Sequence, residues 1–194
     1  MPDATPPSDS PPHDTVTRLL HLGLAVFGVA AWLTGDWAGS YKHAEHLGFD
    51  VHRWTGIGLS VCLALRLVHG VFGPREIRFA QWLPYTPERL RLAWQDILDL
   101  LQGRLPKRPS HQGLSGVVQT FGMLVFCWMA TTGSLLFFLL EPGREAGESL
   151  KWLMKLHAVG ESLIPIYLAI HVAAVVVHAV LGHDVWRRMF FLNK

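Results

Sequence analysis

His157 and His171 lie fourteen residues apart on one apolar segment. Fourteen residues is almost four helical turns, so both fall near one face of a helix, roughly 21 Å apart along its axis. His21 and His52 sit near the starts of two other apolar segments. Imidazole nitrogen is a good ligand for iron and other transition metals. An ionisable group inside a membrane span is costly and marks function by default. Histidines at two depths of one membrane helix, with candidate partners on neighbouring helices, are the ligand set that two stacked haems need.

The elements that would carry these side chains are membrane spans. Of 194 residues, 50% are hydrophobic and only 16% are charged, well below the roughly 25% charged residues of an average soluble domain. A span needs about 20 predominantly apolar residues. Four segments qualify, at about 15–34, 51–72, 114–140 and 153–181. The fold class read from them is all-α: an integral membrane four-helix bundle, residues 15–194, with haem between the helices. Residues 1–14 contain five prolines and no apolar periodicity, which reads as a disordered tail. In the long loop, about 87–102 forms an amphipathic helix with Leu90, Trp94, Ile97, Leu98 and Leu101 on one face. The opposite face carries Arg89, Arg91, Gln95, Asp96 and Asp99. The pattern fits a helix on the inner membrane surface or one packed under the bundle.

Lysine and arginine set the expected orientation. Arg75, Arg78, Arg89, Arg91, Arg104, Lys107 and Arg108 lie in the long loop, and Arg18, Arg187, Arg188 and Lys194 near the termini. Lys42, Arg53, Arg144, Lys151 and Lys155 fall on the other side. Positive charge stays inside, so both termini are expected to be cytoplasmic in a bacterial inner membrane. His52 and His157 then share the outer level, and His21 and His171 the inner one. Depth alone does not choose between His171 and His178, seven residues further on. His69 is a further intramembrane candidate, turned roughly 100° from the His52 face.

Other residues supply supporting chemistry. Arg66 is fourteen residues after His52, on nearly the same face. A propionate of the inner haem would satisfy its guanidinium, and Arg53 and Lys155 could serve the outer haem likewise. Met123, Met129 and Met154 read as packing residues, as do Cys62 and Cys127. No C-x-x-C-H motif is present, so covalent haem attachment is unsupported. His13, His43, His46, His111 and His183 fall in tails or loops. The net charge of +2 argues against nucleic acid as a partner.

The stretches RLLHLGLAVFGVAAWLTG, VHRWTGIGLSVCLALRLVHGVFG and LHAVGESLIPIYLAIHVAAVVVHAVLGHDVWRRM resemble the bacterial cytochrome b561 family. That family includes the cytochrome b subunits of nickel–iron hydrogenases. The likeness runs from about Thr15 to the C-terminus. It implies two b haems with bis-histidine ligation, His21 with His171 and His52 with His157, and an arginine at Arg66. His69 stands where the family commonly has tryptophan. The sequence HQGLSG at 111–116 resembles the family's H-N-P-x-G start of helix three but lacks its proline.

A haem with histidine on both axial positions transfers single electrons rather than binding oxygen. Two of them form a wire across the bilayer. The resemblance implies that the wire joins membrane quinone to a redox partner or acceptor outside, with quinol or quinone oxidoreductase activity. A membrane-anchoring subunit serving a hydrogenase or a periplasmic c-type cytochrome is the alternative, and the sequence leaves a homo-oligomer open. A histidine-relay transporter of protons or metal would need polar residues bridging the two levels. Between His157 and His171 only Glu161, Ser162 and Tyr167 are polar.

Overall fold

The computed structural model describes residues 14–39, 46–106, 112–141 and 145–181, together with 187, 189 and 190. Four long helices dominate: α1 (Thr15–Leu33), α3 (Leu47–Phe72), α6 (Leu114–Leu139) and α7 (Glu148–Val180). All four are long and apolar enough to cross a membrane. Shorter elements join them. α2 (Gly35–Ala38) follows α1; a 3-10 turn (Arg75–Ile77), α4 (Phe79–Trp82) and α5 (Pro87–Leu101) fill the connection between α3 and α6. Among the described residues there is no strand. His13, His43, His111, His183, Lys42, Lys107, Arg108, Arg144, Arg188 and Lys194 lie outside the described residues.

Polar caps explain where the helices begin. Asp14 caps α1 by accepting from the Thr17 amide at 2.9 Å, filling one of the orphan donors of a first turn. α3 starts four residues before the apolar run, because the His46 ring accepts from the Phe49 amide at 3.4 Å. His52 therefore sits more than a turn inside its helix rather than at the start. α7 starts five residues before its apolar run. Glu148 lies in its first turn and pairs with Lys151 at 2.9 Å, which suits the positive end of a helix dipole. Inside α7, Pro165 removes the amide that would bond the Glu161 carbonyl. This interruption lies between the levels of His157 and His171.

The packing is a chain of neighbours: α1 lies along α3, α3 along α6, and α6 along α7. α7 approaches α1 and α3 only sparsely. Glycines allow the close approaches. At Gly122 a Cβ would run into the Tyr167 ring, and at Gly70 into the Phe79 ring. Few apolar side chains are buried, while many Val, Leu and Phe residues point outward. That inversion is expected where lipid, not water, is the solvent. The core cluster, Val125, Met129 and Ile164, is wrapped by Trp32, Phe121, Leu163 and Leu168.

α5 combines the two placements the sequence left open. Ala93 and Asp96 turn inward, and Asp96, only 3% exposed, accepts from the Leu114 amide at 2.8 Å. The sequence put Asp96 on the outward polar face; the structure instead spends it on the bare first turn of α6. Leu90, Trp94, Leu98 and Leu101 remain exposed, the face an interfacial helix presents to lipid.

Candidate functional site

Two histidine pairs face one another across the gap between α7 and its neighbours. His52 on α3 and His157 on α7 have ring centroids 6.2 Å apart, with planes at 82°. His21 on α1 and His171 on α7 are 6.3 Å apart, with planes at 45°. His171 is the ring that meets His21 at this distance, and His178 lies two turns further along α7. Met129, Val125 and Ile164, with Trp32, Leu163 and Leu168 around them, form an apolar layer between the two levels. Such a layer separates two sites and offers no hydrogen-bonded path from one to the other.

Both rings of the His52/His157 pair are anchored through Nδ1. His52 Nδ1 lies 3.0 Å from the Ala31 carbonyl. A carbonyl only accepts, so Nδ1–H donates and Nε2 keeps its lone pair. The Thr132 hydroxyl donates to the Trp128 carbonyl at 2.8 Å. Its oxygen therefore accepts from His157 Nδ1–H at 2.9 Å, and Nε2 of His157 is bare as well. Two facing imidazoles with Nε2 lone pairs free could hold a metal between them, and a metal-ligating histidine typically anchors its other nitrogen in this way. Gly133 lets α6 pass close by, since a Cβ there would come 3.1 Å from His157 Cε1. The Trp128 indole binds the Leu156 carbonyl at 2.8 Å and fixes α7 beside it.

The second pair sits among aromatic rings. His171 stacks on Tyr167, with centroids 5.5 Å apart and planes at 26°. His21 meets Phe190 edge-on at 5.9 Å. Arg66 on α3 carries a buried Nη1 without a hydrogen-bond partner, and its guanidinium lies over Phe79 at 5.1 Å. Arg53 lies over Phe137 at 4.6 Å and pairs weakly with Asp50 at 3.9 Å. Its Nε is buried without a hydrogen-bond partner. Lys155 extends over Trp152, with Nζ 4.9 Å from the ring centre.

The profile of the prokaryotic cytochrome b561 family matches residues 12–192. The chain belongs to that family. No curated protein and no solved structure matches it. Membership makes the chain a multi-pass bacterial membrane protein that binds haem b and transfers electrons.

The residues present suit that group. Two imidazoles on one metal place their ring centres about 6.2 Å apart. This takes about 2.0 Å from each nitrogen to the metal and about 1.1 Å from nitrogen to ring centre. Both observed spacings fall within 0.1 Å of this value. Gly56, one turn after His52, would meet no atom within 4 Å if it carried a Cβ, which leaves room beside the ligand. Half-buried Arg66 lacks an acceptor for its buried Nη1, which a carboxylate of the cofactor would supply.

Sequence reasoning missed Thr132 and the Ala31 carbonyl, because neither is unusual in composition or position. It placed His46 in a loop, where the structure uses it as a cap. It also left His69 without a role. His69 Nε2 lies 3.3 Å from both Asp14 Oδ1 and Thr17 Oγ1, so it ties the end of α3 to the start of α1. Burial alone would raise the Asp14 pKa. Hydrogen bonds from the Thr17 amide and hydroxyl and the charge of His69 outweigh it, and the carboxyl sits below its ordinary value of 3.8.

Proposed function

We propose that the chain is a di-haem electron wire. His52 and His157 clasp one haem b, and His21 and His171 clasp the other. With the long loop and both termini on the cytoplasmic side, the first pair is the outer centre and the second the inner. Haem b, when bound there, would supply reversible one-electron transfer. The chain's own groups orient and tune it. Ala31 and Thr132 hold the outer imidazoles with Nε2 forward. Arg66 offers its free Nη1 to an inner propionate, and Arg53 and Lys155 offer cations at the outer level. Electrons pass between membrane quinone and a redox partner or acceptor on the outer side, which amounts to quinol or quinone oxidoreductase activity.

The observation that carries this reading is the repeated spacing, 6.2 and 6.3 Å between facing rings, at two levels parted by an apolar layer. The layer also weighs against a histidine relay for protons or metal. The test is haem content and a reduced-minus-oxidised spectrum of the purified protein. Two low-spin b haems per chain are expected, with one lost in His52→Ala and in His157→Ala. A colourless preparation, or two haems retained in both variants, refutes the reading.

A further inference from the structure

Thr17 stands one turn from His21 on α1, on the side where α1 begins. Its hydroxyl donates to Asp14 Oδ2 at 2.7 Å. Its oxygen is then an acceptor, and so is the Asp14 carboxylate. His69 Nε2, 3.3 Å from each, must carry the proton that both accept. Nδ1 of His69 keeps its lone pair, and a proton bound there makes an imidazolium facing a carboxylate. The pair is not sealed off, with 17% of the His69 and 32% of the Asp14 side chain exposed, and Asp14 precedes the apolar span that starts at Thr15. Nothing in the electron-transfer reading uses this arrangement.

We propose that His69 and Asp14 form a redox-linked proton site, which takes up a proton when an electron reaches the His21/His171 centre and releases it when the electron leaves. The inference rests on the reading of that centre as a haem site. One electron, from quinol or a chemical reductant, adds one negative charge at the centre. A proton from water at that face binds His69 Nδ1 in a fraction of the molecules, and oxidation returns both electron and proton. Four residues separate Thr17 from His21, a rise of about 6 Å, which puts the imidazole of His69 roughly 10 Å from the centre. Unit charges that far apart in a partly buried setting change each other's binding constants by about tenfold.

Ionisable groups around the pair come from several elements. On α1 the nearby ionisable groups are Arg18 and His21, and on α3 Arg66, one turn before His69. Beyond α3, Arg75, Glu76 and Arg78 follow, and Arg78 Nε is bonded to the Gly73 carbonyl at 2.7 Å. α4 and the half of α6 from Leu114 to Phe126 contribute no ionisable group. α7 contributes His171 and His178, and beyond it lies Arg187.

The test is a mediator redox titration of the full-length haem-loaded protein from about pH 5.5 to about pH 8.5, where histidine titrates. A pH dye in unbuffered detergent reads proton uptake on reduction in parallel. One of the two midpoints should fall as pH rises, with a fraction of a proton taken up. In His69→Gln that midpoint should become flat while the other is unchanged. Asp14→Asn should move the sloping region to lower pH, because the imidazolium loses its counter-charge. A slope that survives in His69→Gln overturns the proposal. So does a parent protein with two haems, flat midpoints and no proton uptake, a result that needs no variant to fold. A protein with fewer than two haems overturns the electron-wire reading first and this proposal with it.

Discussion

Replacing Thr132 with valine tests whether the polar anchor of His157 matters to cofactor binding. The two side chains have nearly the same shape, so Thr132→Val leaves no cavity. Thr132 is 8% exposed, and its oxygen is 2.9 Å from His157 Nδ1. The variant strands that N–H in an apolar setting, at a cost of about 1–3 kcal/mol. At about 1.4 kcal/mol per decade, haem should bind roughly 5- to 150-fold more weakly. This overlaps the about 10- to 100-fold typical when a metal ligand loses its anchoring partner. Transfer of haem to excess apomyoglobin, followed optically, measures the loss. One haem per chain should leave faster and the other at the parental rate, and Thr132→Ser should restore retention. Parental kinetics for both haems in Thr132→Val would refute the anchoring argument. Equal acceleration of both would refute the independence of the two levels.

Three further outcomes follow from the same contacts. His178→Ala should keep both haems, since His171 is the ring that meets His21; loss of a haem by pyridine haemochrome assay would reassign the ligand. Asp96→Ala should cost about 1–2 kcal/mol by removing the cap of α6, read as a lower melting temperature in detergent and faster proteolysis between α5 and α6. The Asp14 carboxyl is depressed in the folded state, so its contribution to stability is complete above its unfolded pKa and disappears as pH falls through the folded value. Acid should therefore loosen the start of α1 below about pH 4, and hydrogen exchange at the Thr17 amide should lose this pH dependence in Asp14→Asn.

The amino-acid sequence alone determined that four apolar segments cross a membrane and that histidines recur at two depths. Both follow from local quantities, hydropathy over about 20 residues and a rise of 1.5 Å per residue. The same quantities blurred the helix starts at Leu47 and Glu148, because polar capping turns carry no apolar signal. Which groups face one another was decided only by the tertiary structure. Helix rotation and tilt bring Thr132 to His157 across 25 positions and His69 to Thr17 across 52. They also turn Asp96 from solvent to the first turn of α6. His171 and His178 share a face of α7, and their depth does not choose between them; the family resemblance favours His171, and the structure sets that ring 6.3 Å from His21. Spacing along a helix is written into the chain; contact between helices depends on how close glycines such as Gly122 and Gly133 let them come.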